Sequence, residues 1–408
     1  MKRRVILAAT TAMIGCAAYA EDLEVTHWWT SGSEAAAVAE FAKAFDATGN
    51  KWVDGAIAGS GGVARPVMVS RITGGDPMAA TQFNHGQQAQ ELVEAGLMRS
   101  LESVASADGW RDIVHPASIL ESCEIDGEIY CVPVNIHSQL WLWLSNDAFE
   151  TAGVAVPNNW DEFVAAGPAL REAGIQPLVI GRQPWQASLA FQTIVASVAG
   201  PEAYGKVFGD KDADVVNGPE MEKAFAALAT AREMTAGSNV QEWNQATTQV
   251  INGQAGGQIM GDWAQGEFAI AEQVAGEDYT CLPGLGLADI VSTGGDAFYF
   301  PAIDDPEVTA AQEELARVMI SPEAQVAFNL KKGSMPVRGD VNLDAANECM
   351  RKGLDILANG TVVAGIDQML SPDAGNQLAD LMVQFFNEPG MSVDDVKASF
   401  IDILEYDS

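Results

Sequence analysis

Positive charge and histidine are scarce in this chain of 408 residues: 22 Lys and Arg stand against 56 Asp and Glu, with four His. That balance excludes nucleic-acid binding, because phosphates are neutralised by Lys and Arg. The acidic excess is spread along the chain rather than gathered in a tail, which reads as a solvated acidic shell suited to a saline habitat. Cysteine is also sparse, with five. None of the histidines stands beside a cysteine, so no zinc-ligand set forms and no metal is expected. Beyond residue 20, no stretch is apolar for the ~20 residues that a membrane span requires. The G-x-x-x-x-G-K-[ST], G-x-G-x-x-G, H-E-x-x-H and G-x-S-x-G signatures are missing, so the common nucleotide, zinc-protease and serine-hydrolase chemistries have no support. A pair of carboxylates could serve a glycosidase. With 56 acidic residues such a pair can always be found and carries no information. No cofactor is implied, and nothing in the chain requires an enzyme.

What is present begins with MKRRVILAATTAMIGCAAYA, a basic start, an apolar middle and an Ala18-Tyr19-Ala20 cleavage site. This is a secretory signal peptide over residues 1–20, cleaved after Ala20. A rival reading makes Cys16 a lipidated cysteine, but Met13 stands where a leucine is usual. Removing Lys2, Arg3 and Arg4 takes the formal charge from −34 to −37 (−34 − 3). The exported protein keeps Cys123, Cys131, Cys281 and Cys349, and an even count in an oxidising compartment favours disulfides. Three pairings are possible in principle. Asp126-Gly127 between Cys123 and Cys131 is a hairpin turn signal, which pairs those two locally and leaves Cys281 with Cys349.

Extended and helical stretches alternate through the first part of the chain. "DLEVTHWW", "VMVSRITGG" and "MAATQF" read as strands, "SEAAAVAEFAKAFDATG" and "QQAQELVEAGLM" as helices. This rhythm predicts an α/β fold with parallel sheets. A strand-rich passage, "EIYCVPVNIHSQLWLWLSNDAF", precedes a mainly helical region, and a second strand-rich patch, "GGDAFYFPAI", lies near residue 300. Length favours two domains. The two extended patches suggest a chain that crosses between two lobes more than once, with a ligand cleft between them.

Five segments in order, "VTHWWTSGSE", "IYCVPVNIHSQLWLWLSNDAF", "IMGDWAQGEF", "GGDAFYF" and "FNLKKGSMPVR", resemble the periplasmic carbohydrate-binding proteins of ATP-driven sugar importers. The likeness is to their glucose/mannose-type branch. It implies a two-lobe periplasmic-binding-protein fold with multiple crossover segments: residues 21–137 with 294–340 as the N-terminal lobe, and 138–293 with 341–408 as the C-terminal lobe. It also implies a sugar ligand, delivery to inner-membrane permease subunits, a monomer, and no catalysis. Disaccharide, pentose or polyol ligands remain open, as does a secreted carbohydrate-active enzyme as a reading of another class.

The resemblance assigns Trp28 and Trp29 to stacking on a pyranose, whose C–H face packs on aromatic rings while its hydroxyls need polar partners. Glu34 matches a carboxylate that accepts sugar hydroxyls, although Ser31-Gly32-Ser33-Glu34 also reads as a capping box. Gln82 and Asn84 match a polar pair at a strand end, with His85 as a substitute for the second. Trp243 matches an aromatic from the other lobe, and Trp263 is expected to support the lobe wall. Asp296 and Lys332 match a crossover aspartate and a sugar-contacting lysine, the latter also placed as a helix C-terminal lysine before a glycine cap. His137 is a marginal candidate near the crossover. Members of the branch often use a C-terminal histidine; this chain has none after His137, and Asp367 or Gln368 stands in that region.

Overall fold

A computed structural model describes residues 21–407. The expected leader, its expected cleavage site and Cys16 lie outside the described residues. The strands are β1 (Asp22–His27), β2 (Lys51–Ala56), β3 (Ala80–Asn84), β4 (Glu124–Ile125), β5 (Glu128–Ile129), β6 (Cys131–Pro133), β7 (Trp141–Ser145), β8 (Gln176–Val179), β9 (Ala255–Ile259), β10 (Tyr279–Pro283), β11 (Ile290–Ser292), β12 (Asp296–Tyr299) and β13 (Thr361–Val363).

Two principal sheets organise the chain. The first runs in the order β2–β1–β3–β12–β6 and the second β10–β7–β9–β8. In the first, β2, β1 and β3 are parallel and β12 is inserted antiparallel between β3 and β6. Buried apolar side chains fall into two clusters that follow the sheets. One draws on residues 23–136 and 297–337, the other on residues 140–291 and 349–404. The chain therefore leaves the first lobe after β6, returns between β11 and β12, and leaves again after residue 337. At the crossovers, single bridges join Ile136 to Met335 and His137 to Gly294.

Local chemistry accounts for these elements. In β1, Leu23 and Val25 point into the core while Asp22 and Glu24 face outward, the alternation a half-covered strand requires. The strand stops at His27. Ser31 adopts extended angles and caps the Gly32–Asp46 helix, with the reciprocal Glu34 contact of a full capping box. "VMVSRITGG" is not a strand: it belongs to the Ser60–Thr73 helix. There Ala64, Met68 and Ile72 are buried at a spacing of four, so helical periodicity outweighs the β-branched composition. The strand that follows the Gly32–Asp46 helix is instead "KWVDGA", β2, which pairs with β1 on the side away from β3.

Both disulfides join the expected cysteines, Cys123–Cys131 and Cys281–Cys349. Between the first pair, β4 and β5 form a hairpin with Asp126 and Gly127 both at positive φ, the geometry of a type I′ turn. The second bridge ties β10 to the Glu348–Asn359 helix.

Candidate functional site

The ends of β1, β3 and β12 all open onto one cleft between the lobes, which encloses about 1200 Å³ with its mouth included. Trp28 and Trp29 follow β1 directly, and their roles differ. Trp29 is 1% exposed. Its ring packs on Phe298 and Phe328 at centroid distances of 5.6 and 5.0 Å, so it belongs to the first lobe's core as well as to the cleft lining. Trp28 is half-buried beside Gly61 on the cleft side, and Gln82 Oε1 accepts its backbone N–H at 2.9 Å.

Two helix ends meet next to this pair. Glu34, at the start of the Gly32–Asp46 helix, accepts from Lys332 Nζ at 3.0 Å through one carboxylate oxygen. Through the other it accepts the Ser31 amide. Lys332 is the last residue of the Pro322–Lys332 helix, closed by Gly333 at φ 84, a left-handed cap that favours glycine. Lys332 is 2% exposed, and its ammonium lies 5.8 Å from both the Trp29 and Trp263 rings. The Glu34 carboxylate and two aromatic rings surround the buried side chain and offset its desolvation.

A second charged group sits on the crossover. His137 Nδ1 lies 2.5 Å from Asp262 Oδ1 and its Nε2 lies 3.1 Å from Asp296 Oδ2. Asp296 is further held by Gln82 Nε2 at 2.7 Å and Asn135 Nδ2 at 2.9 Å, and Asp262 by the Ser138 amide at 2.9 Å. Burial works against the His137 charge, but Asp262 and Asp296 outweigh it and raise its pKa above the ordinary value of 6.5. Burial likewise opposes ionisation of Asp296, yet the His137 contact and the nearby Lys332 hold it down to about 2. For Asp262 burial wins, and its pKa is raised.

The facing wall comes from the second lobe. Trp263 stands edge-on to His137 at 4.8 Å and to Trp243 at 6.5 Å, with Trp185 at 6.1 Å. Five of the chain's ten tryptophans (Trp28, Trp29, Trp185, Trp243 and Trp263) thus line one cleft. The lobes also touch directly at its rims. Ser33 donates to Glu267 at 2.6 Å, and Asn84 and Gln88 donate to the two oxygens of Asp367 at 2.7 and 2.9 Å. At Gly86, with φ +108, a Cβ would fall 2.5 Å from the Asp367 carbonyl oxygen, so the approach of the lobes needs glycine there.

Of the expected residues, Trp28, Trp29, Glu34, Asn84, His137, Trp243, Trp263, Asp296, Lys332 and Asp367 line the cleft. Gln82 and His85 do not: Gln82 is fully buried behind the wall, orienting Trp28 and Asp296. His85 is buried against Ser122, and desolvation lowers its pKa to about 4, so it is neutral. Both oxygens of Asp367 are already engaged across the lobes. Trp185, Ser188, Gln192, Arg65 and Asn376 line the cleft without having been anticipated. The 185, 188, 192 spacing, which puts three residues on one helix face, was the available signal. No group of three or more His, Cys, Asp or Glu able to hold a metal occurs among the described residues.

Two lobes on separate cores, linked by several crossovers and closed over a tryptophan-lined cleft, define a bilobal binding protein. Residues 29–326 match the bacterial extracellular solute-binding protein family, and the chain belongs to it. A probable sugar-binding periplasmic protein of Brucella melitensis is 35% identical over 399 residues, spanning 96% of this chain and 94% of the relative. A protein of the same description from Rhizobium meliloti is 35% identical, spanning 94% and 92%. Among solved structures, the bacterial solute receptor AcbH, described as exclusive for β-D-galactopyranose, superposes with a TM-score of 0.78. It is 19% identical and covers 95% of this chain and 99% of its own. The α/β two-lobe expectation is met by this likeness, and these relatives are binding proteins, not enzymes.

Proposed function

We propose that this chain is a periplasmic sugar-binding protein that captures a glucose-like aldohexose and delivers it to the permease of an ATP-driven importer in the inner membrane. The observation that carries the reading is the pairing of aromatic walls from both lobes with a pre-formed polar edge of Glu34, Lys332 and Asp296. A pyranose needs that combination: C–H faces bury on Trp28 and Trp243, while hydroxyls bond at the edge. The names of the Brucella and Rhizobium relatives support a sugar.

In this reading Trp28 stacks on the ring and Trp29 backs it. Glu34, Asp296, Lys332 and Asn84 meet hydroxyls, with Trp263 and His137 behind them, while Gln82, His85 and Asp367 orient the wall. The lobes divide at 137/138, 293/294 and 340/341, in keeping with the two apolar clusters, and the mature monomer begins after Ala20. Contacts from both lobes favour the closed form. A longer ligand such as a disaccharide is the second reading, favoured by a lining that continues beyond Trp185 to Ser188, Leu189 and Gln192 on the Pro184–Ile194 helix.

A thermal-shift panel of D-glucose, D-mannose, D-galactose, D-xylose and maltose tests the proposal. A ligand at a hundredfold excess over its Kd stabilises by about 2.7 kcal/mol, a readable rise in Tm. No shift with any of the five at millimolar concentration contradicts it.

A further inference from the structure

Among the buried side-chain polar atoms of the described residues that lack a hydrogen-bond partner, Gln192 Oε1 is the one whose residue lines the cleft. Gln192 is 3% exposed and sits in a helix whose residues from Gln186 to Ile194 are all buried. Its Nε2 donates to Ser188 Oγ at 3.0 Å, which fixes the amide and leaves its other end without a protein partner. Turning the amide over would exchange oxygen for N–H at the open position and leave it unpaired all the same. Ser188, 3% exposed and also on the wall, accepts that bond and keeps its own hydroxyl hydrogen. A buried polar atom without a partner is costly, and a leucine at 192 would carry no such atom. The oxygen end of the amide contributes nothing to the fold.

We propose that Ser188 and Gln192 form a recognition subsite that reads one hydroxyl of the ligand and thereby sets its stereochemical preference. No charged partner is paired with either residue, so the group they take is neutral. A hydroxyl is both donor and acceptor and can satisfy the open amide end and the serine hydrogen together. Trp185, one turn earlier on the same face, has its indole N–H held by Gln183 Oε1 at 2.8 Å; the fixed ring supplies an apolar shoulder beside the subsite. Discrimination follows because a ligand lacking that hydroxyl leaves the buried amide unpaired, and sites of that kind reject the deoxy analogue strongly.

This inference rests on the sugar-binding reading, and the experiment separates the two. Titration calorimetry is run on the mature wild type, Gln192→Leu and Ser188→Ala with the five sugars named above. It is then repeated with the monodeoxy series of whichever sugar binds tightest. The expected result is at least a tenfold loss for Gln192→Leu with the parent sugar, about 1.4 kcal/mol. Against a single deoxy analogue the loss vanishes, and Ser188→Ala couples to the same hydroxyl. The ligand-free Tm of Gln192→Leu stays level or rises, whereas a structural role would lower it. If the wild type binds but both variants lose the same factor with every analogue, or lose nothing, the subsite is overturned and the sugar reading stands. If the wild type binds none of the five, the sugar reading falls and this one with it.

Discussion

Replacing His137 by Gln probes the most heavily charged part of the cleft. The imidazole bridges Asp262 and Asp296, whose side chains are 2% and 6% exposed. Gln at 137 can still donate a neutral N–H but supplies no charge, so two buried carboxylates lose their common cation. Removing one partner from a buried ion pair costs roughly 3–5 kcal/mol. Lys332, which also acts on Asp296, holds the expectation to the lower end, about 3 kcal/mol. The pH dependence follows from the shifts. His137 has its folded pKa raised above 6.5, so its contribution is complete below 6.5 and is lost as pH rises through the folded value. Asp296, depressed to about 2 from 3.8, contributes above 3.8 and loses that contribution as pH falls towards 2. Asp262, whose folded pKa burial raises above 3.8, runs the other way from Asp296: it favours the fold when protonated and opposes it as pH rises. Urea unfolding of wild type and variant between pH 5 and pH 9 should give the widest gap near pH 6, narrowing steadily on the alkaline side. A gap below about 1 kcal/mol, or one that does not change with pH, would refute the reasoning.

The two adjacent tryptophans should separate cleanly. Trp28→Ala lowers sugar affinity at least tenfold, about 1.4 kcal/mol, with little change in ligand-free Tm. Trp29→Ala costs about 3–5 kcal/mol of stability, because its ring fills the core against Phe298 and Phe328; calorimetry and thermal melts read both. Glu34→Gln preserves the capping box but leaves the ammonium of Lys332 without its carboxylate, so both affinity and Tm fall, and an unchanged Tm would contradict the buried pair. Reducing Cys281–Cys349, separated by 68 residues, should destabilise by about 4 kcal/mol in the chain-entropy view. The bridge across the eight-residue separation of Cys123–Cys131 should cost about 2.5 kcal/mol; denaturant midpoints of the single Cys→Ser pairs rank them.

Much of the first lobe's contribution to the cleft was legible because it lies in contiguous motifs. Trp28 and Trp29 end a strand, Ser31 and Glu34 form a capping box, and Lys332 precedes a glycine cap, each a local pattern with a local cause. Glu34 and Lys332 also show that a structural and a cleft-facing position coincide: Glu34 completes the capping box of its helix, Lys332 ends its helix just before the glycine cap, and both line the cleft. What was not legible depends on distant contacts. Asn84 meets Asp367 across 283 residues and His137 meets Asp262 across 125, and no short pattern announces either. The Ser60–Thr73 helix was misread because Val67, Val69 and Ile72 suit a strand, and only burial of Ala64, Met68 and Ile72 decides for a helix. Trp185, Ser188 and Gln192 were missed for the opposite reason: "PWQASLAFQTIVASVAG" reads as a core helix, and most of it is one.

Capture of sugar between the lobes is the central claim, and the tryptophans report on it directly. Intrinsic fluorescence of the mature protein is titrated with D-glucose and the rest of the sugar panel, in wild type and in a Trp28→Ala/Trp243→Ala double variant. With five of ten tryptophans in the cleft, the account predicts a saturable change at one sugar per chain in the wild type, lost in the variant while its far-UV circular dichroism is unchanged. An equal response from the double variant, or a wild-type spectrum unmoved by any sugar, would contradict it.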